Sequence, residues 1–320
     1  MSPRTAGACP SMRPSEAGAR IVQYSDQHDS GMTYCVATRV DQGLVFLADT
    51  RTNAGVDHVS TFRKMTVFEQ PGERVMVLLT AGNLALTQSV VQLLSEPSDP
   101  DLPTPWNVPN MFEAACLVGR AVREVHRMHG SALGDFNIEF NCSFLLGGQI
   151  QGQPMRLFQI YAAGNFIEAS TMSPYFQIGE AKYGKPILDR VLTPSMPLDE
   201  AAKCALISMD STLRSNVSVG LPLDLLVYEK DSLRVTKFAM IDHDNDYFRM
   251  IHSSWGERLR QVFAEIPDPQ WAPVSALPQG KSPMRSEPPL APGHGPYRSV
   301  HEPAQAQTLA QAQGGPSGPD

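Results

Sequence analysis

Thr33, Asp49 and Lys64 are the residues whose types and spacing suit acyl-transfer chemistry, and the reason begins with the residue before the first of them. Met32 directly precedes Thr33. Methionine aminopeptidase removes a methionine that precedes a small residue, so translation from Met32 leaves Thr33 with a free α-amine. A threonine hydroxyl is a weak nucleophile that needs an adjacent base, and its own amine is the one base certain to lie close. An unperturbed α-amine titrates at about 7.7 to 8.0, and a neighbouring ammonium such as Lys64 favours its neutral, basic form. Asp49 would then hold Lys64 in place. On spacing alone, a surface threonine and an ordinary ion pair are the simpler description.

Other candidate clusters carry less. His126 and His129 sit at i, i+3 on a helical segment, a spacing that suits one metal ion, but no third ligand accompanies them and a solvated helix face is the simpler reading. The acidic run Asp242, His243, Asp244, Asn245, Asp246 lacks the spaced glycine and distal glutamate of a calcium loop. A turn with a helix N-cap describes it better. There is no phosphate-binding P-loop, no G-x-G-x-x-G after a strand, no G-x-S-x-G elbow and no paired C-x-x-C. No metal or cofactor is expected.

These residues need elements to position them. TYCVATRV (33–40) and GLVFLAD (43–49) are rich in β-branched and aromatic residues and read as a tight hairpin. With a three-residue turn centred on Gln42, Thr33 faces position 51 and Asp49 lies diagonally on the same side. FRKMTVFEQ (62–70) places Lys64 on a third strand, which brings it to Thr33 if that strand docks beside the hairpin. RVMVLLTA (74–81) is a fourth strand, followed by helices over 83–96 and over 110–130, the second stopped by Gly130. Strands are expected at FNIEFNCSFLLGG, MRLFQIYAA and PYFQIGE, then helices at AKYGKPILDRVL and 198–216. A hairpin, LDLLVYEKD with LRVTKFAMI, and a helix from about Asp246 to Ile266 complete the order. Antiparallel strand blocks separated by helix pairs imply two stacked sheets with helices outside, an α+β sandwich.

Composition bounds the rest. Of 27 prolines in 320 residues, twelve lie at or after Pro267, amid Gly, Gln, Ala and Ser without periodicity. Residues 272–320 are therefore expected to be a disordered tail. Residues 1–32 lack any sustained apolar pattern and read as a leader or an upstream start, absent from the working protein. That leaves one domain over 33–271. A net charge of −7 argues against nucleic acid as the main partner. No run of 18 apolar residues exists and no secretory core is present, so a cytoplasmic chain is expected. The five cysteines are odd in number and widely spaced, as buried free thiols would be.

Over about Thr33 to Trp271, several segments resemble one family together: TYCVATRVDQGLVFLADTRTNAG, FRKM, LLTAGNLAL, IGEAKYGKPILDRVL and RSNVSVGLPLDLLVY. They are similar to proteasome-type β-subunits, the N-terminal-nucleophile hydrolases, and among them to the bacterial Anbu family, the ancestral β-subunit group related to the HslVU peptidase. The resemblance implies a four-layer αββα sandwich. It also implies Thr33 as nucleophile with Asp49 and Lys64 beside it, and Gly82 as an oxyanion donor where the residue alone reads equally as a turn glycine. Thr80 and Leu84 are implied to line the substrate pocket, being otherwise ordinary core positions. Where proteasome subunits carry a G-S-G turn and an Asp-x-x-Ser-Gly, this chain has IGE (Glu180) and NVSVG (Asn216, Ser218), so these three are the corresponding candidates for support. Asn216 reads equally as a helix C-cap.

The function so implied is hydrolysis of peptide or isopeptide amides in a homo-oligomer, either a ring or an open helix, with any unfoldase a separate protein. A small-molecule amidase and a catalytically vestigial assembly scaffold are the alternatives on the same fold.

Overall fold

The computed structural model describes residues 33–53, 59–96 and 101–271. The expectations for residues 1–32 and 272–320, and for Cys9, lie outside the described residues. Among them run β1 (Tyr34–Val40), β2 (Gly43–Asp49), β3 (Arg51–Asn53), β4 (Val59–Thr61), β5 (Met65–Gln70) and β6 (Arg74–Gly82). Two helices follow, α1 (Leu84–Ser95) and α2 (Met111–Asp135), then β7 (Cys142–Ile150), β8 (Arg156–Ile160), β9 (Phe166–Glu168) and β10 (Tyr175–Gly179). The last elements are α3 (Lys185–Val191), α4 (Leu198–Ser215), β11 (Leu223–Glu229), β12 (Lys237–Ile241) and α5 (Asp246–Glu265).

Two five-stranded antiparallel sheets form, one ordered β10-β1-β2-β11-β12 and the other β5-β6-β7-β8-β9, with β3 and β4 as a separate ribbon. Strands β1 and β2 are apolar almost throughout because both of their faces are covered. Val36, Val45 and Leu47 pack outward on Leu188 of α3, Ala205 and Met209 of α4 and Phe248 of α5. Cys35, Ala37, Phe46 and Ala48 pack inward on Val75, Val77, Leu79 and Leu145 of the other sheet. That second sheet turns Met76, Leu78 and Phe144 to Val90 of α1 and Val118 and Val122 of α2. The layers are therefore helix, sheet, sheet, helix, the expected αββα sandwich.

Four local expectations are corrected. The first hairpin turns on two residues, Asp41 and Gln42, pairing Val40 with Gly43 and Cys35 with Ala48. Every partner on β2 is thus one residue earlier than a three-residue turn gives, and the diagonal Thr33–Asp49 arrangement does not form. Strand β5 does not dock beside the hairpin; it begins at Met65 and pairs with β6 in the opposite sheet. Helix α2 runs through Gly130 to Asp135, since a glycine inside an otherwise helical pattern costs only about 1 kcal/mol and is no obligatory stop. Residues 136–141 and 233–236 are not strand; the flanking strands start at Cys142 and Lys237.

Candidate active site

Thr33 stands at the head of β1, 4 % exposed. Its carbonyl accepts the N–H of Glu180 at 2.7 Å, and Tyr34 pairs with Gly179 in the sheet. Gly179 has φ of +82°, and a Cβ there would lie 1.9 Å from the Thr33 carbonyl oxygen. Only glycine lets β10 approach the start of β1 this closely.

Asp49 reaches the same place from the end of β2. Its Oδ1 accepts the Tyr34 N–H at 3.1 Å and the Lys64 ammonium at 2.8 Å. Lys64 Nζ donates a second hydrogen bond to the Arg51 carbonyl at 2.5 Å. Lys64 sits one residue before β5, so it spans from one sheet to the other, and the Thr80 N–H bonds its carbonyl at 3.0 Å. The pair is buried, with Asp49 fully enclosed and Lys64 5 % exposed. Burial pushes the Asp49 carboxyl above its ordinary range; the Lys64 ammonium and the N–H groups of Tyr34 and Gly220 act against that shift. Burial also raises the neighbouring Cys35 thiol, and the Asp49 charge adds to the effect. Cys35 is thus a poor thiolate nucleophile beside the pair.

Gly82 ends β6 opposite Cys142, with φ of +107°. A Cβ there would meet the Asn141 carbonyl oxygen at 2.4 Å, so the turn into α1 needs glycine for close approach as well as for its dihedral. Asn83 caps α1 through its side chain, bonding the N–H groups of Ala85 and Leu86. Thr80 falls on the same face of β6 as Met76 and Leu78, while Leu84 opens α1 half-buried.

Glu180, Asn216 and Ser218 come together. Asn216 Nδ2 donates to Glu180 Oε2 at 3.3 Å, and Asn216 Oδ1 accepts the Ser218 N–H at 2.9 Å. Asn216 is also the C-cap of α4, so the two readings of that residue coexist. Because the Glu180 N–H holds the Thr33 carbonyl, this cluster is one hydrogen bond from the head of β1. His126 instead packs edge-on against Phe140 at 4.7 Å and His129 is exposed. No cluster of metal-ligating side chains occurs among the described residues. Asn245 caps α5 by accepting the Phe248 N–H at 2.9 Å.

Three contributors escaped the sequence: Gly179, the Tyr34 N–H and the Arg51 carbonyl. Backbone groups leave no side-chain signature, and Gly179 stood in the IGE segment without any sign that its strand abuts Thr33.

No family model matches the sequence, and no curated protein matches it. Solved structures do. An Anbu (ancestral beta-subunit) from Yersinia bercovieri is 56 % identical over 75 % of this chain and all of its own, with a TM-score of 0.70. The chain belongs to the Anbu family. An Anbu mutant from Hyphomicrobium sp. strain MC1 is 52 % identical, again over 75 % of this chain and all of its own, with a TM-score of 0.70. The Anbu complex of Pseudomonas aeruginosa, described as a helical assembly, is 48 % identical over 76 % of this chain and all of its own, at a TM-score of 0.71. The αββα sandwich of this Anbu chain is accordingly the proteasome-type fold of N-terminal-nucleophile hydrolases. Among its described residues, no helix is long and apolar enough to cross a membrane.

Proposed function

We propose that this Anbu chain is an N-terminal threonine hydrolase that cleaves peptide or isopeptide amide bonds through an acyl-enzyme on Thr33. The observation that carries the reading is the enclosed Lys64–Asp49 pair tied to the Tyr34 N–H, one residue from the Thr33 hydroxyl. A free α-amine on Thr33 takes the hydroxyl proton while Oγ attacks the amide carbonyl carbon. The Gly82 N–H faces the resulting oxyanion. Collapse of the tetrahedral adduct breaks the C–N bond, and the α-ammonium returns its proton to the departing amine. Water, deprotonated by the same amine, then cleaves the ester and restores Thr33. Lys64, held by Asp49, keeps the amine basic by disfavouring a second positive charge nearby. Glu180, Asn216 and Ser218 support the backbone of Thr33, and Thr80 and Leu84 border the substrate.

This mechanism requires Thr33 to be the first residue of the working protein, since a peptide bond on its nitrogen removes the base. Intact mass and N-terminal sequencing of the protein from its native host test that directly. Thr33→Ala is expected to abolish turnover and labelling by β-lactone or epoxyketone probes, and Thr33→Ser to retain part of both. A probe adduct on another residue, or an active enzyme that keeps residues 1–32, overturns the mechanism. We further propose assembly into a homo-oligomer, a reading supported by the helical assembly of the Pseudomonas aeruginosa relative.

A further inference from the structure

A second polar site lies at the opposite end of β1 from Thr33. There the β1–β2 turn, the start of β8, the β9–β10 connection and the end of β11 border an open pocket of about 130 Å³. This is room for several water molecules, enough for one tetrahedral oxyanion. Arg39, Asp41, Ser170, Thr171 and Lys230 supply its polar lining.

One charged group in this pocket, Arg39, is incompletely satisfied, while Asp41, Ser170, Thr171 and Lys230 are exposed at its rim. Arg39 shares the inward face of β1 with Cys35 and Ala37. Among the described residues its Nε is buried without a hydrogen-bond partner, and its guanidinium hydrogen bond is a long one, from Nη1 to the Ala169 carbonyl at 3.4 Å. A buried donor on a permanently charged group is costly to leave empty. Among the described residues, the Lys230 ammonium makes no hydrogen bond or ion pair, and Asp41 forms no ion pair. The Ser170 hydroxyl accepts the Ser173 N–H at 3.2 Å, which leaves its own proton to donate. Two cations and two hydroxyl groups therefore line one space, with a buried guanidinium N–H left to be satisfied there.

Asp41 narrows the choice of anion. A carboxylate repels an oxyanion that has lost all its protons, such as sulfate, and accepts a hydrogen bond from one that keeps an O–H. Inorganic phosphate keeps one at neutral pH. We propose that this pocket is a binding site for a protonated phosphate group, with Arg39 and Lys230 on its charged oxygens and Asp41 accepting from its hydroxyl.

The test uses the full chain, titrated with sodium phosphate and with sodium sulfate against sodium chloride at equal ionic strength, and reads melting temperature and binding heat. Phosphate is expected to raise the melting temperature to a plateau, as a ligand of the folded state does, and sulfate to match chloride. Lys230→Gln is expected to weaken phosphate binding about tenfold, the scale of one charge-assisted contact, and Arg39→Gln at least as much. Asp41→Asn should admit sulfate. Glycerol phosphate at pH 6, where a monoester is about half protonated, separates the sources: phosphate alone assigns the free ion, whereas equal binding assigns the phosphoryl group of an ester. Lys230 is exposed and bonds nothing through its side chain, so its variant folds even if Arg39→Gln does not. Phosphate acting no differently from chloride, sulfate binding equally to the unaltered chain, or undiminished affinity in Lys230→Gln each overturns the proposal.

Discussion

At the scale of single residues, the two buried carboxylates on the first sheet have different fates. Asp49 has the Lys64 ammonium and the Tyr34 N–H on one oxygen. Removing it leaves Lys64 a buried, uncompensated charge, so Asp49→Ala is expected to cost about 3–5 kcal/mol of stability in denaturant titration. Lys64→Ala is expected to lower amide turnover on the order of 10² or more, the usual worth of a positioned acid–base group, with residual probe labelling of Thr33. Asp224, in β11 opposite Ala48, is 1 % exposed, and among the described residues neither of its oxygens has a hydrogen-bond partner. Burial raises its pKa, with the Arg63 guanidinium opposing. A folded state that holds this proton more tightly than the unfolded chain gains stability in acid. The gain is complete below the unfolded value of about 3.9 and is lost as pH rises through the raised folded value. Asp224→Asn should therefore raise the melting temperature at pH 7 and change it little at pH 4; an equal gain at both would contradict this account.

At the scale of elements, close backbone approach decides where substitution is tolerated. A methyl group on Gly179 would overlap the Thr33 carbonyl in a conformation that L-residues avoid. Gly179→Ala is expected to cost about 2 kcal/mol or more and to displace the head of β1, reducing probe labelling of Thr33 in the molecules that remain folded. Gly134, in the last turn of α2, is the opposite case, because a Cβ there meets none of the described residues within 4 Å. Gly134→Ala should stabilise the protein by up to about 1 kcal/mol through the entropy of the unfolded chain. Chemical denaturation of the two variants side by side checks both directions.

At the scale of the whole molecule, helix α5 is anchored at its start and bare at its end. Phe248 and Ile251 are buried against the first sheet's helices, and His252 Nδ1 meets the buried Asp210 carboxylate at 2.5 Å. Beyond them Leu259, Val262 and Phe263 are exposed, Phe263 by 78 %. Three apolar side chains on one projecting helix suit contact with another copy of the chain. Light scattering at micromolar concentration is expected to give a mass above that of the monomer, and Phe263→Glu to reduce it. A monomeric mass for the unaltered protein would favour a small-molecule amidase over an assembled peptidase.

The sequence by itself determined the alternation of strand blocks and helix pairs, since period and turn chemistry are local, and with them the two-sheet sandwich. Its matched segments also placed Thr33, Asp49, Lys64 and Gly82 in one family pattern. Three features only the tertiary structure decided. The register of the first hairpin depends on a one-residue difference in turn length that β-propensity does not encode. The sheet that β5 joins depends on which edge it finds, and Lys64, one residue before that strand, reaches across to Asp49 at the end of β2 in the other sheet. The union of Gly179, Glu180, Asn216 and Ser218 behind Thr33 joins segments far apart in the chain. Their contacts are the Glu180 N–H to the Thr33 carbonyl, the Asn216 side chain to Glu180 and Ser218, and a close approach permitted by a missing Cβ, interactions that carry no residue pattern until the segments are side by side.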